Sequence, residues 1–435
     1  MNSTIFAPAT AQGKAGVAIV RISGQNAKLA CEKLCGLKNP VPRKAVFTKI
    51  RTADGTPIDD ALMLFFPHPH SFTGEDVVEL QTHGGRAILA AVLKELAALD
   101  DFRPADRGEF TRRAVENGKM DLTAAEGLAD LVDAETEQQR RQALRQMNGA
   151  LAGLYDGWRE ELVHLLAWME AYIDFPEEEV PPEVADSIRA KIVSLQTKIG
   201  NHLKDGRRGE RLRDGFQIAI IGAPNAGKSS LMNKLAQRDV AIVSSTAGTT
   251  RDIIEVRMDI RGYPVVIADT AGLRKTDEEI EAEGVRRAKK RAEEADLILA
   301  VFDASENQND SETKSFQGRN VLTVMNKKDK VSNMLSDGIW VSAKTGDGID
   351  ALLERIGSFV EDTLSMREEP SLTRVRHRQS LDECYNLLTQ SLTAPAIELT
   401  AEDLRLAMRA LGKITGQVRV DELLDIIFKD FCIGK

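Results

Sequence analysis

Gly222-Ala223-Pro224-Asn225-Ala226-Gly227-Lys228-Ser229 combines a glycine-bounded turn, an ammonium and a hydroxyl at the spacing needed to hold phosphates. The apolar run 216–221 before it reads as a buried strand, and 229–235 after it as a helix. In that setting the backbone N–H groups and the helix N-terminus wrap the phosphates. Lys228 reaches the β- and γ-oxygens, Ser229 offers a Mg²⁺ ligand, and Ser230 follows in the same helical turn. Such a loop by itself marks any nucleotide hydrolase, so its companions decide the base.

Downstream, Ser244-Ser245-Thr246-Ala247-Gly248-Thr249-Thr250 precedes a strand at 253–260, and Thr250 is the best-placed second hydroxyl for Mg²⁺. The strand 264–268 delivers Asp269-Thr270-Ala271-Gly272: an acid for a metal-bound water and a glycine N–H that senses the γ-phosphate. The buried strand 321–325 ends in Asn326-Lys327-Lys328-Asp329. A carboxylate there accepts from N1–H and the 2-amino group of guanine, donors that adenine lacks. A site built around such groups discriminates by about 10⁴-fold, because the wrong base leaves them unpaired. Ser342-Ala343-Lys344 follows a short strand at 339–341, and its backbone meets the guanine O6. Signals in this order imply a chain that binds GTP.

The elements that must position these groups need more than one domain. The chain has 435 residues, room for about three domains. It is 42% hydrophobic, 29% charged and only 5% aromatic, which leans towards helix. No apolar run approaches the roughly 20 residues of a membrane span, and the N-terminus lacks the features of a secretory signal. Cys31, Cys35, Cys384 and Cys432 form no disulfide framework, so a reducing cytoplasm is expected. The net charge of −9 supplies no overall attraction for nucleic acid. An RNA partner would need local basic surface, for which Arg103, Arg107, Arg112 and Arg113, then Arg140, Arg141 and Arg145, compete with a reading as solvated helix faces.

Residues 1–118 mix strand-like runs (17–22, 61–66, 77–81) with a helix at 86–99, a compact α+β domain. Helical periodicity then predicts one amphipathic helix over 122–147, a second over 151–172 and a third over 182–203. The acidic break at 177–179 reads as a solvated turn. The stretch 206–215, with Arg207, Arg208, Arg211 and Arg213 between glycines, reads as a hinge into the GTPase domain. That domain closes with a helix at 349–359, and helical patterning resumes over 372–392, 401–411 and 420–431. The arrangement expected is multidomain α/β, with a GTPase domain (214–368) inserted between two helical segments (119–213 and 369–435) that pack together. His68-Pro69-His70 has no partner cluster for a metal, and Cys31 and Cys35, one helical turn apart, read as core.

Several stretches together resemble the MnmE (TrmE) family of tRNA modification GTPases across essentially the whole chain. They are Gly16-Val17-Ala18-Ile19-Val20-Arg21-Ile22-Ser23-Gly24, Ser71-Phe72-Thr73-Gly74-Glu75-Asp76-Val77-Val78-Glu79-Leu80 and His83-Gly84-Gly85. Arg107-Gly108-Glu109-Phe110-Thr111-Arg112-Arg113-Ala114, Asn117-Gly118-Lys119-Met120-Asp121-Leu122 and the terminal Phe431-Cys432-Ile433-Gly434-Lys435 complete the set. The resemblance implies a tetrahydrofolate-binding N-terminal domain, a helical domain and an inserted Ras-like GTPase domain. It implies a homodimer that joins the flavoprotein MnmG in a heterotetramer, with FAD carried only by that partner. The pair would install an aminomethyl-type group on C5 of the tRNA wobble uridine, with a one-carbon unit from 5-formyl- or 5,10-methylene-tetrahydrofolate. Its folate contacts fall on Arg21, Glu79, Lys119 and Lys435.

Leu273 stands where Ras-like enzymes place a water-orienting glutamine. The resemblance assigns the water to Glu281 and the charge compensation to K⁺ held by Asn225, Ser244, Thr246 and Thr249, in place of an arginine finger. It makes Cys432 a functional thiol near the folate, against the plainer reading of a buried one; Gly434 and Lys435 fit a prenylation pattern poorly. A competing class, a GTP-controlled RNA-binding switch in ribosome assembly, predicts an appended α/β RNA-binding module after the GTPase domain, whereas the residues there read as helices.

Overall fold

The computed structural model describes residues 3–11, 13–174, 182–238, 241–242, 255–269, 290–306, 320–332, 337–365, 369–418, 424–425, 427–428, 431–432 and 434. By contact density the chain divides into two units. One holds Met1–Ala129, Ala152–Arg159 and Arg409–Lys435; the other holds Asp130–Leu151 and Glu160–Met408.

The first unit is built on a six-stranded sheet in the order β3-β4-β5-β2-β1-β6. Its strands are β1 (Thr4–Pro8), β2 (Ala18–Ser23), β3 (Val46–Arg51), β4 (Pro57–Phe66), β5 (Val77–Thr82) and β6 (Phe102–Pro104). Neighbours are antiparallel except β1 and β6. The two-residue period of the strands sorts side chains to opposite faces. Val20 and Ile22 from β2, Leu80 from β5 and Met63 from β4 form the core with α1 (Ala27–Cys35) and α2 (Arg86–Ala97). Cys31 belongs to that core and Cys35 packs at its edge; burial pushes both thiols up to about 12. The opposite face receives Ile5 and Ala7 from β1, with Phe72 and with Phe110 of α3 (Glu109–Glu116). A smaller cluster joins Leu122 and Ala125 to Leu424, Ile427, Phe428 and Phe431, so the chain's end docks within this unit.

The single helix expected over 122–147 is two: α4 (Leu122–Asp133) and α5 (Glu137–Met147). Thr136 caps the second, accepting from the Gln139 backbone N–H while the Gln139 side chain accepts from the Thr136 N–H. This capping box satisfies donors that a continuous helix would not leave open. α6 (Ala150–Asp174) and α7 (Pro182–Leu203) follow. The stretch 206–215, expected to be a hinge, instead contains α8 (Arg208–Asp214), held by its charges. Arg211 pairs with Asp296 at 2.6 Å, and Arg213 with Asp130 at 3.1 Å.

The second unit's sheet runs β13-β12-β11-β7-β10-β9-β8. β7 (Phe216–Ile221), β10 (Tyr263–Asp269), β11 (Leu297–Asp303), β12 (Val321–Asn326) and β13 (Ile339–Trp340) are parallel; β9 (Glu255–Ile260) and β8 (Ala241–Ile242) form an antiparallel edge. The near-continuous apolar run of β7 is what a strand covered on both faces requires. α9 (Lys228–Ala236) and α10 (Ile349–Leu364) cover one face with Leu231, Leu235, Leu352 and Ile356, and Ala292 packs on the other against Ala219 and Ile221. α11 (Val375–Ser391) and α12 (Ile397–Thr415) follow. α11 lies along α7: Gln196 Nε2 donates to Thr389 Oγ1 at 2.7 Å, and Arg189 donates to the Leu392 carbonyl at 3.1 Å. α7 and α11, which precede and follow this sheet in the chain, thus meet.

Candidate functional site

The phosphate loop leaves β7 at Gly222, whose φ of 150° and position allow no Cβ: one would lie 2.1 Å from the Val301 carbonyl oxygen. At Gly227, with φ of 92°, a Cβ would meet Asn326 Nδ2 at 2.2 Å. The sequence thus places glycine where the loop turns against β11 and where it touches the end of β12. Asn225 is itself left-handed, at φ 64°. Lys228 folds back over the loop and donates to the carbonyls of Gly222 at 2.6 Å and Ala223 at 2.9 Å. Ser229 and Ser230 are exposed in the first turn of α9, one and two residues after that ammonium.

The residues expected to read guanine lie at the tips of β12 and β13. Asn326, 2% exposed, donates to the Ala226 carbonyl at 2.8 Å, and its Oδ1 accepts from the Ala343 N–H at 3.0 Å. One amide thereby ties the phosphate loop to the Ser342-Ala343-Lys344 turn. Asp329 is exposed and accepts from Ser342 Oγ at 2.6 Å. That bond, with Lys344 and Lys330 nearby, holds the Asp329 carboxyl below the usual carboxylate range, so it is ionised and ready to accept from a base. Lys328 donates its N–H to the Val341 carbonyl at 3.0 Å, which fixes the two tips together. Lys327, at φ 63°, pairs with Asp303. Lys344 is exposed.

Asp269 ends β10, its side chain outside the described residues. Ser244, Ser245, Thr246, Ala247, Gly248, Thr249, Thr250, Thr270, Ala271, Gly272, Glu281 and Lys435 also lie outside them. Among the described residues no group of three or more His, Cys, Asp or Glu is arranged for a metal. His68 Nδ1 instead meets the Gly74 carbonyl at 2.5 Å.

In the first unit, Arg21 on β2 and Glu79 on β5 are direct cross-strand partners. Arg21 Nε donates to Glu79 Oε1 at 3.0 Å, and Nη2 lies 2.9 Å from the same oxygen. Phe72 and Phe110 stand 5.3 and 5.9 Å from the guanidinium carbon, so the pair has aromatic walls. Residue type alone singles out neither phenylalanine, though both sit in the stretches that carry the family resemblance. A half-buried ladder supports this face: Arg113 holds Glu75 at 3.0 Å and Glu109 at 2.9 Å, and Ser23 Oγ donates to Glu75 at 2.7 Å. Lys119 donates to the Pro69 carbonyl at 3.0 Å instead of to Glu79. Cys432 is exposed, and its carbonyl accepts from the Gly108 N–H at 3.4 Å, so the plain buried thiol does not describe it.

Comparison with known proteins bears on the whole chain. A family model described as the MnmE helical domain matches residues 122–432, and one described as the GTP-binding protein TrmE N-terminus matches 4–119. Proteins named tRNA modification GTPase MnmE are similar over their whole length. The one from Rhodospirillum rubrum is 54% identical, with 99% of each chain covered. That from Parvibaculum lavamentivorans is 53% identical over 99% of this chain and all 100% of the relative. Among solved structures, Era from Aquifex aeolicus bound to GDP·AlF4⁻ is 27% identical over 39% of this chain and 66% of that one, with a TM-score of 0.28, too low to bear on the argument. Among the described residues, no helix is long and apolar enough to cross a membrane. A glycine-bounded loop tied by Asn326 to the Ser342-Ala343-Lys344 turn, and two family models that between them span nearly every residue, lead to one conclusion: the chain belongs to the MnmE family of tRNA modification GTPases.

Proposed function

We propose that this GTPase is potassium-stimulated and works in the cytoplasm with the flavoprotein MnmG. Together they install the carboxymethylaminomethyl or aminomethyl group on C5 of the tRNA wobble uridine, with a one-carbon unit from a reduced folate. The observation that carries the GTP part is the Asn326 amide, which joins the phosphate loop to the guanine corner. A nucleotide bound there has its base read by Asp329 and its phosphates held by the Gly222–Ser229 loop. Lys228 already points its ammonium at loop carbonyls, and phosphate oxygens would replace those acceptors at little reorganisation cost.

The hydroxyl of Ser229, exposed one residue beyond Lys228, suits a hard cation that takes oxygen ligands, and Thr250 is the proposed second hydroxyl. Mg²⁺ bound there would offset charge on the β- and γ-phosphates. K⁺ would be held by Asn225 with Ser244, Thr246 and Thr249, and Glu281 would orient the water that Leu273 cannot. Support for this reading is the apolar Leu273 in the glutamine position and the exposed Asn225 in the loop.

Support for the folate reading is the Arg21–Glu79 pair between two aromatic rings. A carboxylate accepts from the 2-amino and ring N–H of a pterin, and Arg21, Lys119 and Lys435 suit the glutamate tail. Homodimerisation and a heterotetramer with MnmG complete the proposal, Cys432 serving the one-carbon chemistry. The test is nucleoside analysis of tRNA from a deletion strain complemented with the wild-type chain or with Cys432→Ser. Full restoration of the modified wobble uridine by Cys432→Ser removes the thiol from the proposal, and no restoration by the wild-type chain overturns the modification reading.

A further inference from the structure

β11 and β12 end side by side, with Asp303 in register with Asn326, and the Ala304 N–H donates to the Asn326 carbonyl at 2.9 Å. Asp303 is 3% exposed and both of its oxygens are engaged. Oδ1 accepts from Ser305 N–H at 2.9 Å and Ser305 Oγ at 2.6 Å; Oδ2 accepts from Lys327 Nζ. Those bonds hold the carboxyl below the usual range despite its burial. Lys327 is in the left-handed region, uncommon for a residue with a Cβ, so its backbone is held by its surroundings as its ammonium is by Asp303. Asn326, which ties down the loop 222–229, immediately precedes it, and Asp329, which is aimed by Ser342, lies two residues on.

We propose that Asp303 is a positioning residue for the guanine nucleotide, acting through Lys327. It fixes the Lys327 ammonium so that the four-carbon stem forms an apolar wall for the purine and ribose. It also keeps that ammonium from the phosphates, which Lys228 serves. The proposal rests on the guanine reading of Asp329. A stem held this way acts on base and ribose alone, so its loss weakens GDP and GTP equally and appears in KM with kcat unchanged. A residue needed only for folding gives no such split.

The experiment is a double-mutant cycle on the full chain with Asp303→Asn and Lys327→Met, read by binding of a fluorescent GDP and by steady-state GTP hydrolysis. Lys327 is 26% exposed, so Asp303→Asn does not strand its charge. Each single variant is expected to raise the GDP Kd and the GTP KM about tenfold, the worth of one charge-assisted hydrogen bond. The double variant is expected to be no worse than either, because both remove the same bond. Additive losses, or wild-type affinity in Asp303→Asn with a lowered melting temperature, overturn the proposal. Should Asp303→Asn fail to fold, Lys327→Met decides alone, and wild-type KM in it refutes the idea. Fluorescent ADP keeps the two readings apart: equal affinity of the wild-type chain for ADP and GDP sinks the guanine reading, whereas a failed cycle with guanine preference intact sinks only the role of Asp303.

Discussion

The guanine corner and the Arg21–Glu79 face prepare for a ligand in opposite ways. At the corner, the polar groups beside the proposed base are held by protein partners from other parts of the chain. Asn326 bridges Ala226 and Ala343, and Ser342 aims an Asp329 that stays exposed. A base arriving there meets acceptors already oriented, so little is lost to reorganisation. On the β2–β5 face the carboxylate is occupied by Arg21. A pterin would compete with an existing ion pair and then share the carboxylate or displace the guanidinium. Preorganised groups give selectivity against the wrong base; a pre-paired carboxylate gives less, since the empty state is already satisfied.

The sharpest test of the contrast is Asp329→Ala, which is expected to cost about 10⁴-fold in GDP affinity, the discrimination a site built on base hydrogen bonds reaches. Asp329→Asn should instead favour XDP, whose C2 carbonyl accepts from an amide. Titration with fluorescent GDP and XDP checks both, and an Asp329→Ala chain that still binds GDP tightly would break the comparison at its stronger side. At the phosphate end, hydrolysis in potassium should exceed that in sodium at equal ionic strength by about 10²-fold, the scale of one lost charge-stabilising contact. Asn225→Ala should abolish the difference, and equal rates in the two salts remove the cation.

On the β2–β5 face, proposed to bind folate, Arg21→Ala is expected to weaken 5-formyltetrahydrofolate binding by about 10- to 100-fold, one charged hydrogen-bonding group. GDP affinity should not change. Calorimetry reads both, and undiminished folate affinity takes Arg21 out of the site. Ser342→Ala sharpens the corner: it keeps Asp329 but frees its orientation, so GDP affinity should fall about tenfold, near the net worth of one hydrogen bond. A loss as large as that of Asp329→Ala would mean that Ser342 shapes the whole turn.

The smallest effect lies outside both regions. His202, 5% exposed at the end of α7, has its imidazole held below the ordinary value by burial, with His377 and Arg378 adding to the effect against Asp205 and Glu369. The unfolded chain therefore takes up a proton first as pH falls. The stability due to neutral His202 is complete above about pH 6.5 and is lost as pH falls from there through the folded value, by at most about 1.4 kcal/mol per pH unit. Thermal melts of wild type and His202→Gln across that window should differ in slope. Parallel slopes would contradict the shift.

The proposed nucleotide site could be named from the sequence because its signals are local. A glycine-bounded loop between an apolar run and a helix, and Asn-Lys-Lys-Asp at the end of another apolar run, each declare their context within a few residues. The break between α4 and α5 was missed: Thr136 and Gln139 have capping-box spacing, but helical periodicity on both sides masked it. The short helix at Arg208–Asp214 was not, because its arginines are held by Asp130 and Asp296, far away in the chain.

The sequence by itself determined where the glycines, lysines, hydroxyls and carboxylates proposed for phosphate and guanine stand, and the alternation that sorts the first sheet's side chains to two faces. Those follow from spacing along the chain, through 3.6- and two-residue periods and the left-handed turns that glycine allows. The tertiary structure alone decided partners. Arg21 and Glu79 became cross-strand neighbours through sheet order, Phe72 and Phe110 became their walls, and Asp303 met Lys327 because two parallel strands end together. Such pairings depend on strand order and register, set by the balance of the whole core, and no local run of residues encodes them.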